Sequence, residues 1–195
     1  MKRLAIIIIA ALATTVTTFG QKKFELAYPM AFGIGDLGDF ISEPSFRGIS
    51  IDYRQNVTEN IAIGTHLGWH TFYSEQAKAT YTRDNQSLTG KQYRYSNNFP
   101  LLVTGTYYLS PDAFVSPFAS LGLGTVYTRR NTDMNLYTVE QEAWNFALHP
   151  EVGVHLNTAD EVGVVISLKY LHGFTAGDFD ADQSYLSLAI GLCFY

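Results

Sequence analysis

Cysteine, charge and long apolar runs are all scarce in this chain. The one cysteine, Cys193, excludes an internal disulfide and any metal set built from several thiolates. Only 16% of the residues are charged, 13 basic against 18 acidic, and no basic cluster stands out. An acidic chain of this kind is no nucleic-acid binder. The only sustained apolar run, from Leu4 to Ala13, is about half the ~20 residues a helix needs to cross a bilayer. If the rest of the chain enters a membrane, it does so as strands, because only helices and closed barrels satisfy every backbone group there.

The first twenty residues read as a secretory signal. Lys2 and Arg3 are a short basic start, residues 4–13 the apolar core, and Thr18-Phe19-Gly20 a small-residue cleavage site. Cleavage is expected between Gly20 and Gln21. Gln21 is not cysteine, so a lipoprotein anchor is not expected. The mature chain, 21–195, is the length of one domain. It keeps 11 basic and 18 acidic residues, a net charge of −7.

What the chain has in abundance is alternation. The C-terminal stretch sets Leu186, Leu188, Ile190, Leu192 and Phe194 against Tyr185, Ser187, Ala189, Gly191 and Cys193. Period two means a strand with unlike faces. The pattern recurs and predicts seven more strands: about 24–34, 46–54, 61–73, one ending at Leu109, 115–128, 144–156 and 162–174. Eight is an even number, as closed bacterial barrels require. The predicted turns 55–60, 110–114 and 157–161 are short. The connections 36–45, 74–97, 129–143 and 175–184 are longer and polar and read as loops. Short turns on the periplasmic side and long loops outside would leave both termini in the periplasm.

One face of these strands is large and apolar. The other is mostly Gly, Ala, Ser and Thr, where a soluble exterior would be rich in Lys and Glu. Small residues suit the crowded inside of a narrow barrel, so the large apolar face is left for lipid. The aromatics sort into two levels. Tyr53, Tyr107 and Phe194 fall at periplasmic strand ends, and Trp69, Tyr73, Tyr127, Trp144 and Tyr170 toward outer ends. Two such girdles mark a membrane barrel. Pro29, Pro100, Pro117 and Pro150 fall inside predicted strands and call for bulges or strand ends, because a closed barrel has no edge to hide a missing N–H.

Three stretches carry a resemblance: Phe99-Pro-Leu-Leu-Val-Thr-Gly-Thr-Tyr-Tyr-Leu109, Val115-Ser-Pro-Phe-Ala-Ser-Leu-Gly-Leu-Gly124 and Pro150-Glu-Val-Gly-Val154. With them the mature chain resembles the small outer-membrane β-barrels of the OmpA/OmpX type, a porin-fold group that includes PorT-like proteins. The resemblance implies an all-β, eight-stranded antiparallel up-and-down transmembrane barrel, integral in the outer membrane and inserted by the barrel-assembly machinery. It implies a C-terminal insertion signal, here Ser187, Ala189, Leu192 and Phe194, with Ala in place of Gly and Tyr195 one residue extra. It implies little about activity, since the fold hosts adhesins, channels, secretion accessories and lipid-modifying enzymes.

Candidate sites follow from the inward face. Glu151 and Lys169 are placed opposite each other and, with Asp52, Arg54 and neighbouring histidines, are expected to form an interior ion pair that fixes register. The alternative role is an ion relay. His66 and His70 are four residues apart, roughly 13 Å along a strand at ~3.3 Å per residue. They are not expected to share a metal ion, nor are His149 and His155. No cofactor is implied. His172 lies on the lipid face, but its +2 neighbour is Phe174, and Thr175 has the opposite parity, so the His-x-Ser pattern of a lipid A hydrolase is missing. Lys78, Arg83, Lys91, Arg94, Arg129 and Arg130 could grip lipopolysaccharide phosphates, with acidic residues interspersed. The expected role is structural, surface-interacting or secretion-accessory, without catalysis. A narrow porin-like channel comes second and a lipid A-modifying enzyme third. An envelope protein partner is compatible with the first.

Overall fold

The computed structural model describes residues 21–83, 86–134, 137–158, 161–175 and 181–195. The signal segment and Gly20 lie outside the described residues. The chain forms β1 (Lys22–Ile34), α1 (Asp36–Phe40), β2 (Gly48–Asn56), β3 (Ile61–Arg83), β4 (Gln86–Tyr108), β5 (Val115–Met134), β6 (Tyr137–Leu156), β7 (Val162–Gly173) and β8 (Gln183–Phe194). Each strand pairs antiparallel with the next, and β1 pairs with β8 from Phe24–Phe194 to Ile34–Ser184. The result is a closed up-and-down barrel. Within the ring, closure gives every strand a neighbour on both sides, which a sheet of this apolarity could not achieve with free edges.

The inward set is small or polar: Ala27 and Ala31 on β1, Ser50 and Asp52 on β2, Ser167 on β7, Ser187 and Ala189 on β8 are all buried. The outward set is large, with Leu26, Phe32, Leu67, Leu101, Val103, Leu123, Val152, Leu168 and Ile190 all exposed. An exterior of branched aliphatics is the inverse of a soluble barrel.

Two stretches expected to be loops are strand instead. Residues 74–97 hold the outer parts of β3 and β4, and 129–143 the outer parts of β5 and β6. Alternation fails to reveal them because neither face is apolar: near the rim the buried face carries Ser74, Gln92, Ser96 and Arg130, and residues 77–80 and 137–142 are exposed. Cross-strand partners hold them instead. Tyr73 packs on Tyr95 at 5.0 Å and Thr80 bonds Thr89 at 2.8 Å. Their Thr- and Tyr-rich composition was the available signal.

The prolines resolve in three ways. Pro117 lies just past the last β4–β5 pair, Tyr108–Phe118, and is a strand end. Pro29 lies between the end of the β1–β2 ladder at Ala27–Ser50 and the Ala31–Ser45 bridge, where the register resumes one residue offset. Pro100 and Pro150 are neither bulges nor ends. The β3–β4 pairing skips from Leu67–Leu101 to His70–Asn98, and β6–β7 skips from Leu148–His172 to Glu151–Lys169, both in unchanged register. Each proline keeps its other ladder intact, through Val126 and Leu121. A barrel thus tolerates a proline by interrupting one seam locally.

The 36–45 connection was expected to be an ordinary polar loop, but it folds back over the barrel mouth. Gly35 at φ +59° starts α1, a conformation that an L side chain rarely adopts. A Cβ on Gly38 would stand 2.8 Å from the Gly33 carbonyl oxygen, so this turn needs bare backbone to dock on β1. Leu37 and Ile41 are thereby fully buried among Phe72, Leu102, Val126, Leu171 and Tyr185.

Candidate functional site

The lumen is filled by three layers. Near the termini, Tyr108, Phe118, Ala62 and Val165 form a small apolar cluster. Above it lies a charged layer, and above that the larger apolar cluster sealed by α1. The first layer supports the charges. Lys23 Nζ sits 4.1 Å from the Tyr108 ring centre, and the Arg54 guanidinium 4.5 Å from that of Phe118.

The charged layer joins five strands. Glu151 and Lys169 are register partners on β6 and β7, but each has a nearer partner on β2. Arg54 donates to Glu151 at 2.8 Å, and Lys169 donates to Asp52 at 2.6 Å, against 3.4 Å for Lys169 to Glu151. Arg54 also lies 3.3 Å from Glu25. His66 donates to Asp52 at 2.8 Å, and His155 Nε2 meets Glu25 at 3.0 Å. Every one of these side chains is almost wholly buried. The contacts therefore cross the lumen instead of running along one seam. Glu25 and Lys23 were missed in the sequence, although Glu25 shares the inward parity of Ala27. His155 enters the layer through Glu25.

The histidines sit closer than backbone spacing allows for. The Nε2 atoms of His66 and His70 both bend over Gly68, coming within 3.3 and 3.4 Å of the place its Cβ would take. His66 stacks on His149 at 4.6 Å. Among the described residues, however, none of these three belongs to a convergent set of three metal-ligating atoms.

His172 has a hydroxyl partner across the seam that spacing along its own strand could not reveal. Its Nδ1 lies 2.7 Å from Ser184 Oγ on β8, and Ser184 donates to Asp182 at 3.1 Å. Asp182 is also 3.6 Å from the same Nδ1. The serine is buried, and both oxygens meet one ring nitrogen. A nucleophile–base–orienter relay uses the two nitrogens of the ring for different partners.

Tyr53, Trp69, Tyr107, Trp144 and Phe194 are exposed on the outer wall. Trp69, Phe99, Tyr127 and Trp144 make a row across β3–β6, with centroids 6.0, 6.1 and 5.2 Å apart. Tyr73 packs on Tyr95, and Tyr170 lies 6.5 Å from His172. In the C-terminal segment, Ser187 is inward, while Leu192 and Phe194 face out. Tyr195 leaves the strand and caps the lumen, donating to Asn157 at 2.5 Å and lying 5.4 Å from Lys23.

Beyond the rim, β3–β6 continue as a four-stranded sheet. The β2 ladder stops at Gly48–His70, and the β7 ladder at Ala147–Gly173. At ~3.4 Å per residue, the part of β3 beyond His70 runs on the order of 40 Å. Among the described residues, outer β3, past the bond from Thr71 N–H to the Arg47 carbonyl, and outer β6 therefore each lack a second neighbouring strand. On this sheet Lys91 bonds Glu75 at 2.5 Å, and Arg129 bonds Glu140 at 2.6 Å. Hydrogen bonding to Glu75 raises the Lys91 pKa, and hydrogen bonding from Arg129 lowers that of Glu140. Arg94 donates to the Phe40 carbonyl at 3.0 Å, and Arg130 stacks on the Phe40 ring at 4.7 Å. The side chain of Arg83 lies outside the described residues.

The filled lumen predicts a closed barrel. In planar bilayers the purified protein is expected to show no steady openings of the size typical of aqueous pores. Such openings would mean that α1 and the layers beneath it do not block the path.

The family model described as outer membrane protein beta-barrel domain matches residues 4–191. Among solved structures, Neisserial surface protein A is similar over 91% of this chain and 99% of its own, with TM-score 0.60 and 13% identity. Ail, the attachment invasion locus protein of Yersinia pestis, solved with the heparin analogue sucrose octasulfate, matches over 91% and 99%, with TM-score 0.56 and 11% identity. The outer-membrane protease OmpT of Escherichia coli matches over 75% of this chain and 62% of its own, with TM-score 0.51 and 8% identity. Identities this low establish shared fold alone. None of the curated proteins compared with the chain matches it.

Proposed function

The chain belongs to the outer-membrane β-barrel domain family, and on that premise we propose that it is a non-catalytic surface-interaction protein. It would sit in the outer membrane after loss of residues 1–20, with both termini in the periplasm, placed there by the barrel-assembly machinery. The observation that carries this reading is the protruding β3–β6 sheet. Its two open edges offer unpaired N–H and C=O groups to an added strand. The outer β6 edge also presents Tyr137 and Val139, both at least half exposed.

The partner this surface fits is a protein with an extended segment. Lys91 and Arg129 are each paired with a carboxylate, which weakens the case for a sulfated glycan or for lipopolysaccharide phosphate at this sheet. Lipopolysaccharide remains a neighbour of the outer wall. The channel reading is disfavoured by the filled lumen. The lipid A enzyme reading is disfavoured because Ser184 and Asp182 both meet the same nitrogen of His172. The protease among the structural relatives bears on fold only.

Cells displaying the wild-type barrel are expected to attach to protein-coated surfaces more than vector controls. A barrel with both hairpins trimmed to the rim should still migrate as a folded barrel on unheated gels, yet attach no better than the control. Undiminished attachment by the trimmed barrel would remove the sheet from the proposal.

A further inference from the structure

We propose that Glu25, His155 and Cys193 form a buried site for one monovalent thiophilic cation of the Cu(I) class, entered from the end of the barrel that carries the termini. Among the described residues these are the only three metal-ligating side chains whose donor atoms converge, all within 4.8 Å of one another. Glu25 and Cys193 are register partners on β1 and β8, both pointing inward. His155 reaches them from β6 and meets Glu25 at 3.0 Å. All three are at most 1% exposed.

Softness and charge select the ion. A thiolate beside an imidazole favours Cu(I) and other soft ions over magnesium or calcium. The surrounding lumen holds Lys23, Arg54 and Lys169 against Glu25, Asp52 and Glu151. With the histidines and the thiol neutral, those six charges cancel. A monovalent cation that replaces the Cys193 thiol proton leaves that balance intact: one S–H bond breaks, one S–metal bond forms, and the proton leaves to water. No electron moves. A divalent ion making the same exchange would leave one buried positive charge uncompensated, beside Arg54 and Lys23, which is costly in a low-dielectric interior. Geometry permits this. Two bonds of about 2.0–2.3 Å on opposite sides of an ion span about 4.3 Å, and the donor atoms lie no more than 4.8 Å apart.

There is also a way in. A polar recess of about 360 Å³ at this end is lined by Gln21, Lys23, Asn157 and Tyr195. The Tyr195 hydroxyl lies over Gly163, the register partner of Cys193 on β7. Lys23 and Tyr195, which line the recess, both also lie beside Cys193.

The test is titration of Ag(I) into the purified full-length barrel in chloride-free detergent. Bound metal is counted after desalting, and the thiolate-to-metal absorption is followed. One ion per barrel is expected. Cys193→Ser should abolish binding, and His155→Asn should weaken it by about tenfold or more, with each variant's folded migration checked on unheated gels. Should His155→Asn fail to fold, Glu25→Gln is expected to show a loss of similar size. Wild-type affinity in the His155 and Glu25 variants would reduce the site to a bare thiol and overturn it, as would binding retained by Cys193→Ser. Equal uptake of Zn(II) would overturn the charge argument that selects the ion.

Discussion

Replacing Arg54 by methionine is expected to lower the stability of the folded barrel by about 3–5 kcal/mol, the usual cost of removing one partner from a buried ionic group. Arg54 is fully buried and reaches Glu25, Asp52 and Glu151. Methionine keeps the length of the side chain but leaves three carboxylates to Lys169, Lys23 and two histidines. The measurement is urea unfolding in lipid vesicles, read by the two tryptophans. A second variant isolates the charge effect: Arg54→Met with Glu151→Gln should recover part of the loss, because the two residues share one contact. Lys91→Met, which breaks an exposed pair with Glu75, should leave the midpoint unmoved. If the Arg54 and Lys91 variants behave alike, the charged layer is not what braces the wall.

Leu168→Arg is expected to stop stable insertion. Leu168 lies mid-strand on β7, between Val152 and Leu188, and is 43% exposed on the outward face. An arginine at the bilayer midplane of a barrel costs ~2–4 kcal/mol, and an assembly intermediate must bear that cost before the other strands close. Its inward neighbour Ser167 is buried, and Ser167→Ala should be nearly silent. The readout is the amount of heat-modifiable barrel in the outer-membrane fraction. Equal tolerance of both substitutions would mean that the faces are reversed and that the apolar wall does not meet lipid.

Where one face is apolar, the sequence declares itself. The alternation in 185–194 and its repeats locate all eight strands, because lipid outside and a narrow lumen inside impose opposite sizes on neighbouring residues. The signal fades where that contrast fades. Outer β3–β6 bury mainly polar side chains such as Ser74, Gln92 and Ser96, so Thr80, Thr89 and Tyr95 look like loop residues although they are laddered. The charged layer was partly legible for a related reason. Parity places Asp52, Arg54, Glu151 and Lys169 inside, but it cannot say which wall each side chain reaches. Only the closed ring brings Arg54 to Glu151 and Lys169 to Asp52. The His172–Ser184 contact and the Glu25–His155–Cys193 group are of the same kind. Each joins residues on different strands, and a single strand carries no trace of them. The folding back of residues 36–41 had a local signature in its three glycines, 33, 35 and 38, which a polar-loop reading passes over.

The prolines carry a consequence for how wide the molecule is. The Pro100 ring lies 2.9 Å from where a Cβ of Gly68 would be, and the Pro29 ring 3.1 Å from that of Gly48. Each ring occupies the space that a side chain on the facing strand would need. Sliding either seam by two residues would keep every side chain on its proper face, yet drive a proline into His66, His70 or Ser50. Glycine opposite proline therefore acts as a key that admits one stagger. In a closed ring the staggers of all seams must add to a fixed shear, and shear with strand number sets the radius. Two keyed seams, β1–β2 and β3–β4, thus help to gauge the bore of the cylinder from the edge of the chain that is made first.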